Sequence, residues 1–192
     1  MPLVDHDDSV LVVIDAQKGF FGGGLRPGDG ERARQALARM TWLVKVARRL
    51  GVPAVITEED PERNGTTFEP IAAVLQDVTA IVKPTFSLTG TPLVVDRIER
   101  TGRTTAVLVG FETDVCVAQS AIGLKERGMR VVVIEDAVFS PGEMHRRGLE
   151  RMLAEGVELN HSKGLAYEWT RTVESSRSVL GAPDVGEAPF RL

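Results

Sequence analysis

Three residues of this chain have the types and placement that nucleophilic chemistry requires: a thiol at Cys116, a carboxylate at Asp15 and an ammonium at Lys83. Asp15 follows the apolar run Val10–Ile14, Lys83 follows Ala80–Val82, and Cys116 comes shortly after Thr105–Val109. A thiol attacks an electron-poor carbon as it loses its proton. A desolvated carboxylate can take that proton, and a cation between the two stabilises either anion. Singly, none of the three decides anything. A cysteine between two valines also suits a packed core, an aspartate after a strand also caps a turn, and a lone lysine at a strand end also suits solvent.

Their shared position comes from the elements around them. Val10–Ile14, Ala54–Thr57, Ala80–Val82, Thr105–Val109 and Val131–Ile134 read as strands, with Val157–Leu159 a weaker sixth. Their nearly unbroken hydrophobicity is that of strands covered on both faces. Between the first two, Ala33, Leu37, Met40, Val44 and Ala47 recur at helical spacing. Thr91-Pro92 reads as an N-cap with proline at the first helical position, and Ser140 to Glu143 as a capping box. The alternation implies right-handed crossovers and a three-layer α/β/α domain with a parallel sheet. Such sheets bind ligands at the carboxyl ends of their strands. That rim carries Asp15, Glu58, Glu59, Lys83, Glu112, Thr113, Asp114, Glu135 and Asp136. Thr113 or Asp114 is expected to cap the next helix, with Val117, Ala121 and Leu124 on its inner face. The thiol then falls in the first turn, where the helix dipole and Lys83 are expected to lower its pKa.

The 192 residues suit one domain, with a core over about 9–160 and an extension at 161–192 that turns polar and irregular after about Tyr167, as a short helix plus an arm. The net charge of −4 comes without a basic stripe, which argues against nucleic acid as a partner. No apolar run is long enough for a membrane span, and the acidic start does not read as a signal peptide. A single cysteine cannot close an intrachain disulfide, so a cytoplasmic setting is expected.

Asp15-x-Gln17-x-x-Phe20, Lys83, Gly110-x-x-Thr113-x-x-Cys116-Val117, Asp136-Ala137 and the downstream His145 together resemble the isochorismatase-like cysteine hydrolases, in order and spacing over about residues 9–160. The resemblance implies a six-stranded parallel sheet of order 3-2-1-4-5-6 and a catalytic Asp15–Lys83–Cys116 triad. It further implies a cis Phe111–Glu112 peptide and an oxyanion hole from the backbone N–H groups of Glu112 and Cys116. A homodimer or homotetramer acting on a small-molecule substrate is the corresponding expectation. Phe20 is the first candidate for a pocket wall, ahead of Phe21, Phe86 and Trp169. Gln17 is a candidate to contact substrate or orient Asp15, with turn stabilisation a comparable role.

The sequence departs from the nicotinamidases of that superfamily, which hold a metal with an aspartate and histidines after the second strand. Here Glu58 to Gly65 contains no histidine, and His6, His145 and His161 are scattered. No metal and no cofactor are therefore expected. Gly22-Gly23-Gly24 does not open a helix directly after a strand, so it reads as a loop beside the pocket rather than a dinucleotide turn. Loops 20–30, 58–70 and 160–170 are the expected specificity elements. Cys116 favours hydrolysis of a carbon–nitrogen bond. Vinyl ether hydrolysis through Asp15 stays open, as do a non-catalytic binding role and a redox thiol, although no resolving cysteine is present.

Overall fold

Side chains of the first strand alternate between two cores. Leu11 and Val13 enter one, and Val10, Val12 and Ile14 enter the other. Period-two alternation with apolar residues at every position requires cover on both faces. The computed structural model, which describes residues 2–22 and 25–191, supplies it. In chain order the elements are β1 (Ser9–Ile14), α1 (Asp29–Arg49), β2 (Ala54–Glu59), α2 (Pro61–Asn64), α3 (Glu69–Val74), β3 (Ile81–Lys83) and α4 (Pro92–Glu99). Then follow β4 (Thr105–Phe111), α5 (Ala118–Glu126), β5 (Arg130–Phe139), α6 (Met144–Ala154), β6 (Glu158–Asn160), α7 (Ser162–Thr170) and α8 (Val173–Leu180). All six strands are parallel, in the order β3-β2-β1-β4-β5-β6.

Met40, Leu43, Ile71, Leu165, Trp169 and Val179 cover the face of Leu11 and Val13. Val94, Ile98, Val117, Ala121, Leu124 and Met152 cover the other. Each of the larger of these side chains contributes roughly 1.5–3 kcal/mol by leaving water, so the apolar strands fix the layer order. Register brings the strand ends to one rim, pairing Ile14 with both Thr57 and Gly110, and Glu59 with Lys83. Gly110 has no substitute there. Its φ is 132°, and a Cβ would stand 1.9 Å from the Ile14 carbonyl oxygen.

Several local expectations are corrected. The strands run further than the apolar runs, so Glu58, Glu59, Lys83, Glu135 and Asp136 are strand residues. The Ser140 to Glu143 capping box does not form. α6 starts at Met144 without a side-chain cap, because Ser140 is buried and bonded to Asp114. Thr91 flanks Pro92 as expected, but its hydroxyl pairs with Thr85 at 3.0 Å instead of capping. After Tyr167 the expected short helix forms as α8, but the rest is no loose arm: Val179, Leu180, Ala182 and Val185 complete a core. Within the expected 160–170 loop, most residues form α7. Trp169 is not a pocket wall, since its indole is buried and donates to Ser9 at the opposite end of β1. Of the three-glycine loop, Gly23 and Gly24 lie outside the described residues.

Candidate active site

Asp15 directly follows β1 in the left-handed region, at φ 47°, which costs a residue with a Cβ about 1–2 kcal/mol. Its N–H donates to the Thr57 carbonyl at 3.1 Å, and its carbonyl accepts from Gln17 N–H at 2.7 Å. The turn buries the carboxylate completely. Oδ1 accepts from the Thr57 hydroxyl at 2.8 Å, and Oδ2 faces Lys83 Nζ at 2.7 Å. Sequence reasoning missed Thr57. It was the last residue of a strand pattern, and its pairing with Ile14 is what aims it at Asp15.

Lys83 is also fully buried. Its Nζ donates to the carbonyls of Thr85 at 2.9 Å and Phe86 at 3.2 Å, and lies 3.5 Å from Cys116 Sγ. Two carbonyls and one carboxylate compensate the cost of burying this ammonium. The segment that supplies the carbonyls is itself pinned: Thr85 Oγ1 donates to Ser87 O at 2.8 Å, and Leu88 N–H donates to Ser120 Oγ of α5 at 3.0 Å.

Cys116 lies on a single π-helical turn, Thr113–Val117, between β4 and α5. Neither Thr113 nor Asp114 caps a helix, contrary to expectation. The Thr113 hydroxyl is 2.9 Å from His145 Nδ1, and Asp114 Oδ1 accepts from Ser140 Oγ at 2.6 Å. The wide turn hangs instead from the Glu112 carbonyl, which accepts from the N–H groups of Val115 and Val117 on either side of Cys116. α6 presses on it so closely that a Cβ at Gly148 would lie 2.8 Å from Asp114 backbone atoms. The Phe111–Glu112 peptide is cis. Val117, Ala121 and Leu124 are buried, as the helical spacing predicts.

The electrostatics differ from expectation in one respect. Burial, and then the charge of Asp15, push the Cys116 thiol up to about 12, against a weaker downward pull from Lys83. The thiol was expected to be acidic; desolvation and a neighbouring anion outweigh the lysine. Burial also raises Asp15, with Lys83, Thr57 and the thiol pulling it back only in part. At rest the site therefore holds a protonated thiol beside a carboxylate of enhanced basicity.

The remaining candidates divide. Gln17 is buried with its amide fully engaged. Nε2 donates to the carbonyls of Glu59 at 3.0 Å and Gly65 at 2.6 Å, while Oε1 accepts from Glu59 N–H at 2.7 Å. It clamps the loop after β2, which leaves its amide no free group for a substrate. Phe20 is half-buried on the same rim. Phe21 instead packs edge-on against Phe68 at 5.4 Å, and Phe86 is exposed. Glu58 is held by Thr67, and Asp136 by Ser162, Arg39 and His161. A cavity of about 640 Å³ is lined by Glu59, Asp60, Pro61, Glu62, Val82, Lys83 and Pro84. Among the described residues, Asp5, His6 and Asp7 stand close enough to share a cation, at the end of β1 remote from Asp15. No helix among the described residues is long and apolar enough to cross a membrane.

An α/β/α sandwich with a buried acid, lysine and thiol at the carboxyl rim is the class that fold and geometry define. The sequence profile of the Isochorismatase domain matches residues 9–162, and the chain belongs to the isochorismatase-like hydrolase family. It is 34% identical over 137 residues to isochorismatase domain-containing protein 2 of Bos taurus, a match covering 70% of this chain and 65% of that one, just under two thirds. The structure of YcaC from Escherichia coli, described as an octameric hydrolase of unknown specificity, superposes with a TM-score of 0.80 at 23% identity, covering 96% of this chain and 93% of that one. The MAR1 ribonuclease of Caenorhabditis elegans gives 0.82 at 23% identity, over 97% and 96%. At these identities the two structures attest the fold alone.

Proposed function

We propose that this protein is a cysteine hydrolase that cleaves a carbon–nitrogen bond of a small amide, carbamoyl or ureido compound through a thioester on Cys116. The observation that carries the reading is the buried contact set in which Lys83 Nζ touches both Asp15 Oδ2 and Cys116 Sγ. A lysine needed only for solubility would not be drawn from water into that position.

With a thiol near 12, the resting enzyme holds no appreciable thiolate at neutral pH. Proton transfer to Asp15 must accompany attack rather than precede it, which is general-base catalysis. Sγ forms its bond to the carbonyl carbon as Asp15 takes the thiol proton. The backbone N–H groups of Glu112 and Cys116 receive the oxyanion. Collapse breaks the C–N bond, and Asp15 returns its proton to the departing ammonia or amine. Water then adds to the thioester with Asp15 again as base, releasing the acid and restoring the thiol. Lys83 holds Asp15 in place and balances whichever partner is anionic. Phe20 borders the substrate, and Gln17 acts on the pocket by fixing its loop. No step calls for a metal or cofactor, as the histidine-free segment after β2 suggests.

Vinyl ether hydrolysis, using Asp15 as the proton-handling group without Cys116, is the second reading, and the name of the matching domain favours it. A homodimer or homotetramer is in keeping with exposed Val82, Phe86 and Leu93, at 53–56% exposure. Cytoplasmic residence rests on cysteine usage alone. The deciding experiment is an ammonia-release screen over small amides, carbamoyl compounds and ureido acids, with Cys116→Ala as control and with EDTA. Turnover abolished in Cys116→Ala and indifferent to EDTA supports the reading. Full activity in Cys116→Ala sinks it in favour of the vinyl ether chemistry, and strong inhibition by EDTA refutes the metal-free mechanism.

A further inference from the structure

Two side-chain contacts tie the turn that carries Cys116 to the chain after β5. In the first, Ser140 Oγ donates to the Asp114 carboxylate at 2.6 Å and accepts from Asp114 N–H at 3.4 Å, so its polarity is fixed. In the second, Thr113 Oγ1 meets His145 Nδ1 at 2.9 Å. Which of those two atoms holds the proton follows from their surroundings. Thr113 is fully buried, and His145 Nδ1 is the only partner of its hydroxyl among the described residues. A proton on Nδ1 would point at Oγ1 and leave the hydroxyl proton without an acceptor, away from water. A bare Nδ1 accepts that proton, and nothing is orphaned.

The imidazole proton then belongs on Nε2. The ring is half-buried and lines a cavity of about 210 Å³, and Nε2 is not among the buried polar atoms left without a partner. Burial, and then the charge of Arg32, lower the pKa of His145 against an opposing pull from Asp114. The ring is therefore neutral at neutral pH, with Arg39, Glu135 and Asp136 the other charged groups lining its cavity. α6 carries the ring on a close seat, since a Cβ at Gly148 would stand 2.8 Å from Asp114 and 2.9 Å from the Thr113 carbonyl carbon. Thr113 in turn opens the π-helical turn and lies in the chain between Glu112 and Cys116, the two residues whose N–H groups are proposed to receive the oxyanion.

We infer that His145 is a positioning residue: in its Nε2–H form it accepts the Thr113 hydroxyl proton, and that bond sets the turn on which Cys116 Sγ and the oxyanion N–H groups are aligned. The inference rests on the hydrolase reading above and adds to it a residue that acts without touching the reacting atoms.

Leucine and asparagine have nearly the same shape, and asparagine Oδ1 takes the bond position of Nδ1. His145→Leu therefore removes the acceptor and His145→Asn keeps it. Cys116 is followed in two reactions. Acylation by p-nitrophenyl acetate needs thiol and oxyanion N–H groups in alignment, whereas alkylation by iodoacetamide needs the thiol alone. The ratio of the two rates cancels changes in thiol acidity and access. It should fall about tenfold in His145→Leu, less than the roughly hundredfold that a 1 Å misplacement costs, and largely return in His145→Asn. Thr113→Val should match His145→Leu, and the double variant should lose no more than either alone. A ratio unchanged in His145→Leu, or equally low in the leucine and asparagine variants, overturns the inference, because a histidine that only fills space predicts that result.

A second measurement uses the wild-type protein. In nitrogen NMR of histidine-labelled protein, Nδ1 of His145 should appear unprotonated and hydrogen-bonded, with the proton on Nε2, and Thr113→Val should move Nδ1 toward a free acceptor. A proton on Nδ1 overturns the inference, whether or not His145→Leu folds. A wild type that acylates its thiol but turns over no amide sinks the hydrolase reading and leaves the positioning role standing. A thiol that alkylates but never acylates overturns both.

Discussion

Lys83→Met is the perturbation that most directly interrogates the buried pair. Methionine keeps the length and apolar stem of lysine but removes the ammonium that lies 2.7 Å from Asp15 Oδ2. Both side chains are fully buried, so solvent cannot replace the lost partner. Breaking such a pair from one side costs about 3–5 kcal/mol, a large part of the stability of an ordinary domain. The cost also depends on pH. Burial already raises Asp15, and Lys83 is the chief influence holding it down, so the variant raises it further. The unfolded chain keeps the ordinary value of 3.8. Between the two, the folded variant holds a proton that the unfolded chain has released. Its stability then falls as pH rises, by about 1.4 kcal/mol per pH unit, until Asp15 ionises in the folded state. Below the unfolded value both states are protonated and the loss is smallest. Urea denaturation of wild type and variant between about pH 5 and 8 measures the difference, with other titrations cancelling between the two proteins. Adding Asp15→Asn to the variant should remove the pH dependence. A loss under about 1 kcal/mol, or one that is flat with pH while the double variant behaves identically, would refute the buried ion pair.

Three further outcomes follow from the same geometry. Alkylation of Cys116 by iodoacetamide in wild type should still be climbing with pH above 9, because the thiol sits near 12; Asp15→Asn should label faster at pH 8, and saturation near the free-cysteine range would contradict the electrostatics. The acid limb of kcat/KM for a turned-over amide should have its midpoint above 3.8, since the base is the raised Asp15, and a midpoint below that value would exclude Asp15 in this role. Gly148→Ala should lose about 1–3 kcal/mol and most activity, because its Cβ meets Asp114 backbone at 2.8 Å. Gly30→Ala in α1 meets only Arg34 Nη1 at 3.6 Å and should be neutral or slightly stabilising in thermal melts; equal effects of the two would show that the α6 contact is not tight.

The sheet and its rim were legible because the code for them is local. Uninterrupted runs such as Val10–Ile14 specify a strand covered twice, and Asp15, Lys83 and Cys116 follow from knowing which strand ends face the crevice. What was not legible depends on segments far apart in the chain. Ser140 has every local mark of a helix cap, yet Asp114 captures it from the turn after β4. Thr113 and Asp114 look like caps until His145 and Ser140 are placed against them. Thr57 gains its bond to Asp15 only through the β1–β2 register. The sign of the Cys116 shift turned on how much water the fold removes, and no spacing rule measures that. The acidic character of the pocket was half visible. Glu58, Glu59 and Glu112 stood on the rim shortlist, but only the contacts show that Thr67 holds Glu58 and that Asn64 reaches Glu59.

The alternation along β1 makes the sheet a partition between two separately readable compartments. Cys116 shares its compartment with Val10, Val12, Val131 and Val133, whereas Leu11, Val13 and Val132 belong to the other. Methyl groups on neighbouring residues of one strand therefore lie on opposite sides of a wall one backbone thick. In a methyl-labelled sample, acylation of the thiol should move the resonances of Val10 and Val12 and spare those of Leu11 and Val13. The same spectrum would reveal whether a disturbance crosses the sheet, because along β1 odd and even residue numbers report opposite layers.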